Sequence, residues 1–174
     1  MLGARYGFLW VINTMPFLID GYNLLHAIDK TGQDWDAVGD IRLCHILSRY
    51  LQRIDEKGEV IFDGKGPPEK SRFENIERLE VVFTGLRTDA DTVIENKIQS
   101  NTAPKALTVV SSDRRLRRAA AVRKATAVKS DEFWKTVIRE VKKKRKRSVE
   151  PAAKRKGLNQ SETKQWMKYF GLEE

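Results

Sequence analysis

The chain has 174 residues, 40% of them apolar and four of them Trp, so it can bury a core and is too apolar for a disordered polymer. A lone cysteine, Cys44, excludes an internal disulfide and a cysteine-rich zinc cluster, and His26 and His45 add too few ligands for the usual zinc site. The net charge of +9 is uneven: ten Lys/Arg stand against two Glu between Arg139 and Lys156, a segment that suits a polyanionic partner such as nucleic acid or, in the plainer reading, a solvated helix end.

In chain order, residues 1–14 carry one charge and a short apolar run, Phe8 to Ile12, without the small-residue cleavage pattern of a signal peptide. They read as an N-terminal extension to a domain that starts near Met15. Pro16 to Ile19 reads as a strand, followed by an amphipathic helix from about Trp35 to Glu56, with Ile41, Leu43, Ile46, Leu47, Tyr50, Leu51 and Ile54 at three- and four-residue spacing and Gly58 as its terminator. Val60-Ile61-Phe62 and Leu79 to Phe83 are further strands. A helix over 89–100, a strand over Leu107 to Val110, a helix over 113–123 and a weaker strand at Ala127-Val128 follow. Ser130-Asp131 reads as the N-cap pair of a fourth helix. Continuous apolar strands alternating with helices predict a three-layer α/β fold around a parallel sheet of four to five strands. Pro151-Ala-Ala marks a linker, and Ser161 to Phe170 reads as a short helix with Trp166, Met167 and Phe170 on one face. The expected organisation is an extension over 1–14, an α/β domain over 15–147, and a basic linker with a short C-terminal helix over 148–174. No run approaches the roughly eighteen apolar residues of a membrane span, and a reducing cytoplasm is the expected compartment.

The acids fall at strand ends. Asp20 follows the first strand, Asp63 the second, and Asp113 lies just beyond Val110, while Asp89 and Asp91 open the helix after the third strand. In an open parallel sheet these positions share one edge, where ligands bind. Glu95 is four residues beyond Asp91 and shares its helix face. Crowded carboxylates repel one another unless cations neutralise them, and oxygen-only ligands suit Mg²⁺ or Mn²⁺. Such ions activate water and stabilise charge on a phosphodiester undergoing displacement. Each acid also has a plainer role. Asp20 and Asp63 precede glycines and suit turns, Thr88 to Asp91 has capping-box spacing, Asp113 suits an N-cap, and Glu95 a helix surface. Asn23, Ser111 and Ser112 are placed to hydrogen-bond the acids or a phosphate. Arg114, Arg115, Arg117 and Arg118 crowd the helix from Asp113, with Arg72, Arg87 and Lys65 on loops of the same edge; a phosphate backbone suits them, as does plain solvation.

Leu18-Ile-Asp-Gly-Tyr-Asn23, Val60-Ile-Phe-Asp63, Leu79-Glu-Val-Val-Phe-Thr84, Ala90-Asp-Thr-Val-Ile-Glu95 and Val109-Val-Ser-Ser-Asp113, in that order, resemble the YacP-like branch of the NYN-domain ribonucleases, relatives of the PIN-domain nucleases. The resemblance covers about 15–141, with similarity again over 158–172. It implies a PIN-like fold and a divalent-metal site of Asp20, Asp91 and Asp113, supported by Asn23 and Asp63. Glu95 is a further candidate metal ligand, and Asp89 and Ser112 are supporting residues. It also implies endonucleolytic cleavage of RNA, and the family includes a bacterial nuclease that cleaves mRNA on the ribosome. The expected protein is therefore a Mg²⁺- or Mn²⁺-dependent endoribonuclease that holds RNA, an mRNA by this resemblance, with Arg87, Arg114, Arg115, Arg118, Lys143, Lys144 and Arg145, with the ribosome as a further expected partner. The competing expectation is a non-catalytic RNA- or ribosome-binding module that keeps the acids only as turns and caps. A phosphate-cradling G-x-x-x-x-G-K-[ST] loop is absent, which argues against a nucleotide-binding enzyme.

Overall fold

The computed structural model describes residues 16–31 and 39–143. The expected N-terminal extension, the start of the second helix before Gly39, Lys144 and Arg145, the linker at Pro151 and the C-terminal helix all lie outside the described residues.

Five strands, β1 (Phe17–Asp20), β2 (Gly58–Phe62), β3 (Leu79–Phe83), β4 (Thr108–Val110) and β5 (Thr126–Val128), form one parallel sheet in the order β3-β2-β1-β4-β5. The helices are α1 (Gly21–Asp29), α2 (Asp40–Ile54), α3 (Ala90–Ser100), α4 (Arg114–Val122) and α5 (Ser130–Lys142). Strand β1 is central, with Phe17 in register with Gly58 on one side and Thr108 on the other. From β1 the chain steps outward to β2 and β3, then returns across β1 to β4 and β5. This reversal opens a crevice between the carboxyl ends of β1 and β4.

Side chains alternate along each strand and so feed two cores. Ile19, Val60, Phe62 and Val110 pack under α1, α2 and α5, while Leu18, Ile61 and Val109 pack under α3 and α4. Each fully buried Ile, Leu or Phe contributes about 1.5–3 kcal/mol of apolar burial. Outward steps carry their helices on one face and the return steps carry theirs on the other, as parallel crossovers of one hand require. Cys44 lies fully buried in the first core, and burial pushes its thiol pKa up to about 12, so it packs as a small apolar side chain.

The three-layer α/β architecture agrees with the sequence expectation, with three local corrections. A helix, α1, begins directly after Asp20, where no helix is expected before about Trp35. Its signal is the Leu24, Ile28 pair, four residues apart and both buried. Gly58 does not terminate α2: it opens β2, packed against Leu51 and Phe17, and Asp55 takes the left-handed terminal position at φ 58°. Ser130 is not the cap of α5. Lys129 occupies that position, and Ser130 is fully buried in the first turn with its hydroxyl committed elsewhere.

Besides Asp20, a second charged residue is buried in the sheet. Glu59 on β2 is buried, and Lys97 on α3 reaches down to it with Nζ 2.8 Å from Oε1. Burial raises the Glu59 pKa, and the hydrogen bond and charge of Lys97 oppose that rise.

Candidate active site

Asp20 ends the central strand at the switch point, and local chemistry fixes its side chain. Its Oδ1 accepts the Asn23 backbone N–H at 3.1 Å, capping α1. Its Oδ2 accepts the hydroxyl of Ser111, from the end of β4, at 3.1 Å. Ser111 in turn accepts the Asp113 backbone N–H at 3.0 Å. One serine thus ties the acid at the end of β1 to the acid that opens α4.

Gly21 lets α1 start so close to the sheet. A Cβ there would lie 2.4 Å from Cε1 of Phe62, a ring that is fully buried and stacked on Phe83 at 5.4 Å. Tyr22 leans edge-on against the other side of Phe62, with centroids 5.3 Å apart, and is partly open to solvent. Burial raises the Tyr22 pKa, and the charges of Asp40 and Asp63 raise it further, which places both acids near its phenol.

Asp91 sits half-buried in the first turn of α3. The expected capping box is displaced by one residue: Asp89, not Thr88, is the N-cap, and its carboxylate accepts the Thr92 N–H at 2.6 Å. That hydrogen bond holds the exposed Asp89 below the usual carboxylate range. Asp91 is therefore released from capping. Burial raises its pKa first, the charge of Asp113 second, and Asp89 and Asp63 add smaller rises against the lowering effect of Arg115. Asp20 behaves alike: burial raises its pKa most, the bonds from Asn23 and Ser111 oppose this, and Asp91 and Asp113 raise it further. Asp20 is buried and Asp91 half-buried, and the charge of Asp113 reaches both.

Asp113 caps α4 by accepting the N–H groups of Arg115 and Leu116. Asp63 is exposed, accepts the Thr84 hydroxyl at 3.1 Å and lies within electrostatic reach of Asp91. Glu95 is engaged by Arg115 at 3.4 Å, so that exposed arginine is partly committed to α3. Among the described residues, no three Asp, Glu, His or Cys side chains stand close enough to form a ready metal cage.

Asn23 links Asp20 to the start of α5. Its backbone, not its amide, meets Asp20. The amide Oδ1 accepts the Ser112 N–H at 2.9 Å and the Ser130 hydroxyl at 2.8 Å, and the Ser130 N–H donates to the Ser112 hydroxyl at 3.2 Å. The sequence pattern marks Ser130 only as a helix cap, because the partners it joins are distant in sequence. Of the cations, Arg114, Arg115 and Arg118 stand exposed on α4, and Arg87 is exposed on the loop between β3 and α3. Lys143 lies at the far end of α5, bonded to Glu140 at 2.6 Å, while Arg53 from the end of α2 donates to its carbonyl. It is therefore at the edge of the sheet opposite the carboxylates.

The YacP-like NYN domain profile matches residues 17–170. A crystal structure of Rae1 (YacP) from Bacillus subtilis is similar, with 24% identity and a TM-score of 0.56 over 71% of this chain and 74% of that one. A structure of the tryptophan-to-leucine mutant of that protein gives 25% identity and 0.55, over 71% and 75%. A comparison with curated proteins gives no match. Since the profile spans nearly the whole described fold, the chain belongs to the YacP-like NYN domain family, whose fold is of the nuclease type.

Proposed function

We propose that this chain is a divalent-metal-dependent endoribonuclease whose reaction centre is formed by Asp20, Asp91 and Asp113. The observation that carries this reading is the state of Asp20. It is a carboxylate at the switch point, only 7% exposed, whose ionised form is opposed by burial and by two neighbouring acids. A cluster of that kind is short of positive charge. Its donors are all oxygens, which fits a hard cation and not zinc. Asp20, Asp91 and Asp113 would hold it, with Asp63 near enough to take part through water.

When bound, a divalent cation supplies an activated water and neutralises charge on the phosphodiester. The chain's own residues do the rest. Ser111 and the first turn of α1 hold the Asp20 carboxylate in one orientation. Asp91, which caps nothing, is free to accept a proton or a cation. Exposed Arg114 and Arg118 provide charge for an RNA backbone across the edge. Resemblance to a ribosome-associated family member suggests mRNA on the ribosome as the physiological setting.

A second reading has its own observation. Asp20 and Asp113 both cap helices, so a binding module would keep them for structure alone. Asp91 has no such use. Incubating the purified chain with labelled RNA separates the two readings. Cleavage in Mg²⁺ or Mn²⁺, its loss in EDTA, and its loss in Asp20→Asn with RNA binding retained support the enzyme. Undiminished cleavage in EDTA or by that variant removes the proposed mechanism, and binding without cleavage favours the module.

A further inference from the structure

Beside the carboxylates, between α1 and α5, lies a groove of about 660 Å³. Asn23 and Ser112 form its inner end, so it is continuous with the site. His26, Lys30 and Lys135 line it further out, together with Asp131. Helical spacing builds both walls. Asn23, His26 and Lys30 recur at three and four residues on α1, and Asp131 and Lys135 are four apart on α5.

The polar groups in this groove point to a ligand. Asn23 Oδ1 already accepts two donors, from Ser112 and Ser130, and this network decides which end of the amide is nitrogen. Its Nδ2 is left with no acceptor among the described residues. The clamp is rigid, because Ser130 is fully buried and bonded at both its N–H and its hydroxyl. Lys30 and Lys135 are exposed and make no ion pair among the described residues. Asp131 lies in the first turn of α5, where the helix dipole stabilises its charge. No Phe, Tyr or Trp lines the groove and His26 is the one aromatic ring among its lining residues, so it offers bases little stacking surface and suits a backbone.

We propose that this groove binds the sugar–phosphate backbone of single-stranded RNA on one side of the bond to be cut. Asn23 Nδ2 donates to the phosphodiester oxygen nearest the carboxylates, and Lys30 and Lys135 neutralise the phosphates beyond it. The proposal rests on the nuclease reading for its substrate class. It adds a track on the α1–α5 side, distinct from the arginines of α4. Ser130 becomes a positioning residue, holding the Asn23 amide so that its nitrogen faces the strand.

The test measures anisotropy of a labelled single-stranded oligouridylate with the full chain in EDTA, so that cleavage plays no part. Lys30→Gln/Lys135→Gln is compared with Lys57→Gln/Lys105→Gln. The second pair lies just before β2 and β4, at the opposite edge of the sheet, and removes the same charge. The groove variant is expected to bind on the order of tenfold more weakly, with the magnitude of its salt slope reduced by about 1.4, as loss of two single-strand phosphate contacts requires. The control pair is expected to stay within about twofold of the parent chain. Equal losses in both variants would show a bulk charge effect and overturn the groove, as would an unchanged affinity in the groove variant. Failure of the nuclease reading has a different signature: no cleavage by the parent chain in Mg²⁺ or Mn²⁺, with the groove-selective loss of binding still present.

Discussion

Ser130 donates its hydroxyl to Asn23 Oδ1 across 2.8 Å, joining the first turn of the last described helix to the first turn of α1. The bond spans 107 residues of sequence and is made by a side chain that no solvent reaches. It closes the fold at the point where β1 and β4 diverge. Ser130→Ala removes one of the two donors to Asn23 and is expected to cost about 1 kcal/mol in chemical denaturation. With the amide loosened, KM for RNA should rise while kcat changes little. An equal fall in kcat alone would place Ser130 elsewhere in the mechanism.

Gly21→Ala is the substitution most directly aimed at the junction of sheet and site. The added methyl meets the ring of Phe62, which is held by Phe83 and Tyr22 and has no empty space to enter. Overpacking of this kind costs about 1–3 kcal/mol. Because Asp20 is the neighbouring residue, cleavage should fall further than the loss of folded protein accounts for. Thermal denaturation read beside specific activity separates the two effects.

The pH dependence follows from the raised pKa of Asp20 and Asp91. Burial is the main cause in both, with neighbouring acids adding to it. A folded pKa above the unfolded one means that these carboxyls favour the native state at low pH. That contribution fades as pH rises through the folded value. Activity runs the other way, since cation binding needs the ionised forms. At limiting Mg²⁺ or Mn²⁺, where the cation must displace protons from the empty site, the acid limb of kcat/KM should therefore lie above the ordinary carboxylate range of about 4. Asp20→Asn keeps an oxygen to cap α1 and removes the opposed charge. Its melting temperature near neutral pH should match or exceed that of the parent chain while activity is lost. A marked drop in stability would mean that the carboxylate serves the fold.

Lys97→Met tests the buried ion pair away from the site. It leaves Glu59 without its partner inside the sheet. A fully buried pair broken this way costs about 3–5 kcal/mol. Lys97 is 42% exposed, so about 2 kcal/mol is the expected loss. Glu59→Gln in the same chain should recover part of it. The raised pKa of Glu59 predicts that the Lys97→Met defect is mild in acid and grows as pH rises through that value.

Much of the sheet was legible because its strands are buried on both faces. Leu79 to Phe83 has the same bounds in sequence and in structure, and the acids stand at strand ends as their spacing implied. The helices α2 to α5 announced themselves by periodicity. Helix α1 did not, since its first turn reads as a loop: Gly21 is a poor helix former, and what starts the helix is a cap from Asp20. Gly58 was misplaced because a glycine after a helical pattern resembles a terminator, whereas here it is needed against Leu51 and Phe17. Thr88 and Asp89 are both good caps by composition, and only the backbone distinguishes them. Long-range pairings left no local trace at all. Ser111 with Asp20, Ser130 with Asn23, and Lys97 with Glu59 each join segments that the sequence pattern treats separately. Lys143 was grouped with the nucleic-acid contacts by its neighbours in sequence, yet the length of α5 carries it to the opposite edge.

Asp91 separates catalysis from structure most cleanly, because it caps no helix and accepts no hydrogen bond among the described residues. The measurement is single-turnover cleavage of labelled RNA by Asp91→Asn in Mg²⁺ or Mn²⁺, with binding and thermal stability read on the same preparation. The account predicts cleavage lower by at least about a hundredfold, with RNA affinity and folding retained. Cleavage at the parent rate by a folded Asp91→Asn chain would contradict it.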